Sequence, residues 1–258
     1  GVVATEADLV MPEDKQVLII TPDGIQREDA DGFLYRASRT LTKNAVSTVH
    51  LAQLEADPND EVVLLTNQGR GWRGTVGFIP PDGEAQALGL ANGERVIGMA
   101  VMQPDTYLLM GSSAGRVKRT HVDDLSLPDR TLDVVIGLGE DDALLFGDIV
   151  GAGAHLVFYT RQGQLLRLDG DEVNPQQTGT ATGVVGLKLK AGDQLLGGMV
   201  VPGAAEGEDD WFVVVVSEMA YAHRVPLAEF SVQGRGARGV RCLRPTKSGG
   251  DVGDVGVA

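Results

Sequence analysis

Runs of four or five apolar residues recur along this chain, and each is followed by a short polar turn and a second, mixed run. A Thr or Ser precedes the turn, and an Arg lies three or four residues after the turn position. This pattern predicts a β-hairpin in each copy. The copies read VLIITPDGIQR, VVLLTNQGRGWR, YLLMGSSAGRVKR, LVFYTRQGQLLR and FVVVVSEMAYAHR, with turn positions at Gly24, Gly69, Gly115, Gly163 and Ala220.

The turn positions are 45, 46, 48 and 57 residues apart, which is the period of a repeat architecture. Further apolar segments follow each hairpin and raise the count to about four strands a unit. We therefore predict an all-β, propeller-like single domain over 1–258 with about five four-stranded blades. The later apolar segments are Val46–Leu51, Val96–Val101, Val134–Leu138, Val184–Leu189 and Val240–Leu243, and the predicted blades are 14–60, 61–103, 104–152, 153–202 and 209–258.

Five units account for the chain, and a sixth beyond it stays open. The longest step reflects a Gly-rich acidic insertion at 202–210, which predicts an exposed loop.

Composition changes the picture mainly through charge. The net charge of −14 argues against a nucleic-acid ligand, because phosphate contact needs clustered Lys and Arg. The charge is uneven, however: 1–61 holds 5 basic and 12 acidic residues, whereas 210–247 holds 6 basic and 3 acidic. The last repeat is thus a basic region on an acidic protein. No run approaches the ~20 apolar residues of a membrane span, no signal peptide is visible, and the single Cys242 fits a reducing cytosol.

Two segments match the glycine pattern of dinucleotide-binding loops, GRGWRG at 69–74 and GRGARG at 234–239. That fingerprint has to open a helix. Pro80 and Pro81 follow the first segment and a strand-like stretch follows the second, so Gly-rich turns are the better interpretation. In the second segment Arg235 and Arg238 also suit contacts to a phosphate backbone, with a solvated flexible loop as the alternative.

The recurring turn arginines Arg73, Arg119, Arg167 and Arg224 have two interpretations. They form a basic rim, or each packs its stem on the sheet and pairs with a carboxylate. The basic stretch at 115–121 favours binding in the third unit.

Catalytic constellations are not apparent in the sequence. The four histidines are scattered without a metal-ligand spacing, and no G-x-S-x-G elbow or D-x-D-x-D-G loop occurs. We interpret the paired carboxylates as solvated turns. These pairs are Asp123–Asp124, Asp141–Asp142 and Asp209–Asp210.

The segments 7–27 and 212–243 resemble the C-terminal domain of the A subunit of bacterial type IIA topoisomerases, DNA gyrase and topoisomerase IV. The second carries a strand, a turn, a basic residue, V-P-L-x-E-F and Q-G-R-G-x-R-G-V. The resemblance implies a β-pinwheel, in which neighbouring four-stranded blades exchange strands. It implies binding and bending of duplex DNA without sequence preference, which positions DNA for strand passage in supercoil relaxation, decatenation or gyrase supercoiling.

The resemblance also implies partners and a location. The partners are double-stranded DNA, the ATPase B subunit of the enzyme, and the catalytic remainder of the A subunit, without a membrane. The domain itself is expected to be non-catalytic, without metal or cofactor, in a cytoplasmic, nucleoid-associated bacterial enzyme that uses ATP and Mg²⁺.

One departure from the family concerns the Q-R-R-G-G-K-G box of gyrases in the first blade. The stretch 35–46 here lacks glycine, which looks more like topoisomerase IV. The box-like residues lie instead in the last repeat: Gln233, Gly234, Arg235, Gly236, Arg238 and Gly239. The candidates for further DNA contacts along the rim are Arg73, Arg116, Lys118, Arg119, Arg167, Arg224, Arg241 and Arg244.

Two other functions stay open at this point. A β-propeller scaffold that binds a protein partner through an acidic face fits the net charge. A sugar-processing propeller enzyme would need paired carboxylates and aromatic platforms, and only 5% of the residues are aromatic.

Overall fold

The computed structural model describes residues 15–21, 24–29, 53–81, 86–201 and 211–257, and strands and turns dominate them. Their only helices are 3-10 turns of three residues. The all-β prediction is confirmed. The strands are β1 Gln16–Thr21, β2 Gly24–Asp29, β3 Gln53–Ala56, β4 Glu61–Thr66, β5 Arg70–Thr75, β6 Val96–Val101, β7 Tyr107–Ser112, β8 Arg116–His121, β9 Asp133–Val134, β10 Leu144–Val150, β11 His155–Thr160, β12 Gln164–Asp169, β13 Val184–Val185, β14 Leu195–Val201, β15 Phe212–Ser217, β16 Ala222–Pro226, β17 Val232–Gln233, β18 Val240–Arg241 and β19 Val252–Val257.

Three predicted features lie outside the described residues: the apolar segment Val46–Leu51, the glycine-free stretch 35–46 and the loop 202–210. The predicted boundaries of the domain and its blades stay a prediction. The chain divides into two compact units, 1–65 with 71–102 and 127–133, and 66–70 with 103–126 and 134–258.

The first unit contains two of the sheets, in the orders β2-β1-β3 and β6-β4-β5-β9. Their apolar runs are buried, and Trp72 of β5 lies among them at 2% exposure. The indole Nε1 of Trp72 donates to the Asp129 carbonyl oxygen at 2.8 Å, which satisfies the only polar atom of this side chain.

The second unit contains three sheets, in the orders β10-β7-β8-β13, β14-β11-β12-β17 and β16-β15-β19, with β18 also paired to β12. The run Leu156–Tyr159 of β11 is buried at every position, on both faces of its sheet. A continuous rather than alternating apolar run is what such a strand needs. The same reasoning explains the Leu108–Met110 run of β7.

Each repeat lends a short strand to the repeat before it, as the pinwheel interpretation predicts. The hairpin β11–β12 is followed in the chain by β13, yet β13 pairs with β8 of the preceding hairpin. In the same way, β17 and β18 follow the hairpin β15–β16 and pair with β12. We call the part of each repeat that follows its hairpin and reaches back in this way the exchanged segment.

A recurring hydrogen-bond arrangement, which we call the turn clamp, fixes the exchanged segment. The carbonyl oxygen of Gly115 accepts from the N–H groups of Gly186 and Leu187 at 2.9 and 3.0 Å. Gly163 accepts in the same way from Cys242 and Leu243 at 2.9 and 3.4 Å. Gly69 repeats the arrangement with Val135 and Ile136 at 2.9 and 3.2 Å.

The turn clamp explains why this position is glycine in the repeats that use it. Gly163 has φ +79°, and a Cβ there would lie 2.1 Å from the Leu243 carbonyl oxygen. Ala220, the counterpart in the last repeat, also has positive φ, at 61°, but it is exposed. Among the described residues no exchanged segment is hydrogen-bonded to Ala220, so its methyl group is tolerated.

The acidic turns have a structural role that the sequence interpretation missed. The carboxylate of Asp142 accepts hydrogen bonds from Ser112 Oγ at 2.7 Å and from Ser113 Oγ and the Ala114 N–H at 2.8 Å. Asp193 binds Thr160 Oγ1 at 2.7 Å in the next repeat. In these two repeats the Thr or Ser before the turn is therefore a hydrogen-bond donor to a carboxylate, and the prediction that Asp142 is only solvated was wrong.

A buried Arg–His pair completes the polar interior of the second unit. Nε and Nη2 of Arg167 lie 3.0 and 2.8 Å from Nδ1 of His155, and both side chains are buried. Because guanidinium only donates, Nδ1 must accept, and His155 is the neutral tautomer with the proton on Nε2. Burial, followed by the charge of Arg167, holds the pKa of His155 below its ordinary value, while Asp169 and Asp171 oppose the shift.

We expect Gly163→Ala to destabilise the chain by about 2–4 kcal/mol, because a methyl group strains the left-handed turn and displaces the Leu243 carbonyl. Gly153→Ala is the matched control, with φ +78° and open space around the added Cβ, and should cost only about 1 kcal/mol. Urea unfolding of both variants measures the difference. Equal costs would show that the turn clamp contributes nothing beyond the backbone conformation.

We expect the His155–Arg167 pair to make the chain less stable in acid. Below the ordinary histidine pKa of about 6.5, the unfolded chain binds a proton at His155 that the folded chain does not. Stability from this group is thus present above pH 6.5 and is lost as the pH falls towards the lowered pKa of folded His155.

His155→Gln should therefore lose less stability than the unmodified chain between pH 7 and pH 5, as measured by urea unfolding at both values. His223→Gln, at an exposed position, is the control and should keep the original dependence. An unchanged pH dependence in His155→Gln would rule out this role of the pair.

Candidate nucleic-acid interface

The box-like loop 234–239 lies on the exchanged segment of the preceding repeat. The Gly236 N–H donates to the Gly186 carbonyl oxygen at 2.7 Å, and the Lys188 N–H donates to the Ala237 carbonyl oxygen at 2.9 Å. Leu187 and Ala237 form a parallel bridge between these hydrogen bonds. The loop backbone is thus held against a neighbouring strand rather than standing free in solvent.

Two further contacts fix the ends of this loop. The Arg235 N–H donates to Oε2 of Glu172 at 3.3 Å. At the other end, a Cβ on Gly239 would lie 2.5 Å from the Leu165 carbonyl oxygen, so only glycine lets β18 approach β12 here. The glycines therefore serve close packing of the backbone, and the side chains between them project from a fixed main chain.

A basic residue occurs at every third position through this part of the chain, and all five side chains are exposed. None of them forms an ion pair with another described residue. Lys247 continues the spacing that sequence reasoning followed only as far as Arg244. We call this the basic segment: Arg235, Arg238, Arg241, Arg244 and Lys247.

Two lysines that sequence reasoning missed lie beside the basic segment. Lys188 is exposed and Lys190 is half-buried, and the backbone of Lys188 is bonded to the loop through Ala237. The signal for them was the L-K-L-K alternation of residues 187–190, but its position depends on strand exchange. Arg116 belongs to the same neighbourhood, where its guanidinium donates to the Thr182 and Gly183 carbonyl oxygens at 2.7 and 2.6 Å.

Lys118 does not lie on an exposed rim, and the structure corrects this expectation. It is 1% exposed, and its Nζ donates to the carbonyl oxygens of Val135, Thr178 and Gly179 at 2.6, 2.7 and 3.2 Å. These bonds use all three ammonium protons. Burial lowers the pKa of Lys118 to about 8. Lys118 holds two exchanged segments together and has no donor left for a phosphate.

The expected rim position is wrong for Arg119 and Arg167 as well. Arg119 is buried, pairs with Asp171 Oδ1 at 2.7 Å, and stacks 3.7 Å from the ring centre of Tyr107. Arg167 is bound to His155 in the interior. For both residues the alternative interpretation, a packed stem with a polar partner, is the right one.

Two turn arginines keep an accessible side chain. Arg73, in the first unit, pairs with Glu61 Oε2 at 2.5 Å. Arg224 lies 4.0 Å above the ring of Phe212 and is exposed. Gln233 is half-buried in β17 opposite Leu168. The structure therefore brings together Arg235, Arg238, Arg241 and Arg244 with Lys188 and Lys190, and separates them from the buried arginines.

The described part of the chain offers little for metal or membrane chemistry. No group of three or more His, Cys, Asp or Glu side chains is placed to hold a metal ion within it. No helix in the same residues is long and apolar enough to span a bilayer. Cys242 is buried, and burial raises the pKa of its thiol to about 11.

The comparison with protein families gives one match, DNA gyrase C-terminal domain, beta-propeller, over residues 106–146, 154–202 and 212–253. The DNA gyrase A protein of Nocardioides sp. strain JS614 is 27% identical over 299 residues, which cover 94% of this chain and 31% of that protein. Its counterpart in Staphylococcus epidermidis is 25% identical, with 98% and 30% coverage. The chain thus spans about a third of the length of these curated relatives.

Solved structures share the fold at lower identity. A C-terminal domain of DNA topoisomerase IV has a TM-score of 0.76 at 24% identity and covers 96% of this chain and 79% of its own. A DNA gyrase A C-terminal domain has a TM-score of 0.68 at 19% identity, with 95% and 83% coverage. The family match covers just over half of the chain, and its strands are exchanged between successive hairpins. The chain therefore belongs to the family of DNA gyrase C-terminal domains with a beta-propeller fold.

Proposed function

We propose that this chain binds double-stranded DNA without sequence preference and bends it. The observation that carries the proposal is the basic segment, in which five exposed cations recur at every third position on a fixed backbone. Guanidinium groups bind phosphate oxygens in a forked geometry, and closely approaching glycines leave room for the DNA backbone. Lys188 and Lys190 extend the same surface.

The absence of base recognition follows from the secondary structure. The described residues contain no helix longer than a three-residue 3-10 turn, so none of them offers a recognition helix for the major groove. Exposed arginines and lysines contact phosphates, which position a duplex but carry no sequence information. Bending then costs elastic energy, which additional phosphate contacts repay.

The net charge of −14 does not oppose this proposal locally. Several carboxylates are committed to internal partners: Asp142 and Asp193 bind turn hydroxyls, and Asp171 binds Arg119. At ~0.1 M salt, charges further than about 10 Å from a phosphate are largely screened. The sign of the nearby side chains therefore decides binding more than the total does.

We infer that the chain is the C-terminal part of the A subunit of a bacterial type IIA topoisomerase. The curated DNA gyrase relatives are about three times longer, so the catalytic residues would lie outside this part. In this proposal the domain is non-catalytic and binds no cofactor. An ATPase B subunit together with the rest of the A subunit completes the enzyme, and ATP and Mg²⁺ act there. The enzyme works in the bacterial cytoplasm on nucleoid DNA.

Within that family we propose a role in positioning DNA for strand passage, like that of topoisomerase IV, rather than strong wrapping. The support is the position of the box-like residues, which lie at 233–239 near the end of the chain. The stretch 35–46, where gyrases carry their box, lacks glycine.

A protein-partner scaffold is the second candidate, and one observation favours it. Glu140 and Asp141 are exposed in an acidic turn of the second unit, where a basic partner surface would fit. Binding of this kind would not need the basic segment, and the following experiment separates the two functions.

We expect Arg235→Ala with Arg238→Ala to weaken binding of a fluorescent duplex of ~40 base pairs on the order of tenfold near ~0.1 M salt, since two phosphate contacts are lost. The slope of log affinity against log salt should become shallower by about 2. The measurement is a fluorescence anisotropy titration at several salt concentrations.

The control is Arg95→Ala with Arg130→Ala, which removes the same charge from exposed positions outside the basic segment. It should leave the slope unchanged. Equal effects of both double substitutions would move the contact site away from 235–247. No binding by the unmodified chain even at low salt would overturn DNA binding and favour the protein-partner function.

A further inference from the structure

Three exchanged segments of the second unit can be aligned residue by residue through the turn clamp. The first N–H donor to the turn glycine is Val135, Gly186 and Cys242 in successive repeats. These residues therefore occupy equivalent positions, and a fixed offset from them identifies equivalent positions elsewhere in the segments. The alignment rests on main-chain hydrogen bonds rather than on sequence identity.

Charge changes steadily along the aligned segments. Residues 128–142 contain one basic and five acidic side chains, residues 179–193 contain two and one, and residues 235–249 contain five and none. Two positions after the first clamp donor the residues are Gly137, Lys188 and Arg244, and five positions after it they are Glu140, Ala191 and Lys247. Equivalent positions thus pass from acidic or neutral to basic.

Successive segments are neighbours along this gradient. The Gly137 N–H donates to the Ala181 carbonyl oxygen at 3.1 Å, and the Lys188 N–H repeats the contact with Ala237 at 2.9 Å. A ligand that extends from the basic segment across Lys188 therefore reaches the segment of Gly137 next.

The acidic end of the gradient presents two accessible carboxylates. Asp142 is bound to turn hydroxyls, but Glu140 and Asp141 occupy the centre of the turn that Asp142 closes on Gly139, and both are exposed. Glu140 is equivalent to Lys247, the last residue of the basic segment.

We propose that the Glu140–Asp141 turn ends the DNA-binding surface, so that a duplex contacts the last two repeats and is repelled at the third. This inference rests on the proposed DNA binding. Phosphates near Glu140 and Asp141 meet like charges without a compensating cation, and the energetic gain from further contact disappears there. The path of DNA on this chain is then limited by charge at a defined turn.

The test is Glu140→Lys with Asp141→Lys in the full chain, examined by salt-dependent binding and by footprinting on long linear duplex DNA. If the turn ends the surface, two new cations extend it. The protected region should lengthen, and the salt slope should steepen by about 2. Glu140→Gln with Asp141→Asn removes the repulsion alone and should tighten binding without that steepening.

Asp105→Asn with Asp148→Asn is the matched control for the neutral variant. Asp105 precedes β7 at the end away from its hairpin turn, and Asp148 lies on β10, at the opposite edge of the sheet from β13. Equal tightening by this control would overturn the proposal in favour of a general charge effect.

The other outcomes also decide between the proposals. An unchanged footprint and slope in the Lys variant, while the unmodified chain binds DNA, would overturn the limit at Glu140–Asp141 and leave the proposed function standing. A chain that does not bind DNA at all overturns both.

Discussion

The hydrogen bonds from an arriving strand to the carbonyl oxygen of a turn glycine are the constraint on which this fold depends. Each short exchanged strand has only two residues, too few to hold itself by pairing alone. The turn clamp adds two main-chain bonds at the end of the neighbouring hairpin and requires close approach. That approach needs a glycine at the turn, as Gly115 and Gly163 show, because any Cβ would overlap the arriving backbone.

The interior charges follow from the same exchange of strands. Where a segment crosses from one repeat to another, it brings carbonyl oxygens that cannot all join a sheet, and buried polar groups need partners. Lys118 supplies an ammonium to three of them, and Arg119 and Arg167 satisfy others next to Asp171 and His155. Cations that look like ligand contacts in the sequence are thus structural donors.

The hairpins, their turn positions and the exchange of strands could be predicted from the sequence, because apolar runs and turn glycines recur with a fixed period. The box-like loop was also visible, since its glycines and arginines are adjacent in the chain. Burial of Arg119 and Arg167 was not predictable, because a basic residue after a turn has the same pattern whether it points to solvent or to a carbonyl oxygen. Lys188 was missed because its proximity to Ala237 is tertiary.

A division of labour within each repeat follows from these contacts. Basic residues of the hairpins β7–β8 and β11–β12 are consumed inside the second unit, so they cannot vary without loss of stability. The exchanged segments are held through main-chain atoms instead, and the side chains at Lys188 and Arg244 are exposed and take no part in that contact. Their charge is therefore free to change from repeat to repeat while the fold stays the same, and the surface of this chain is graded for that reason.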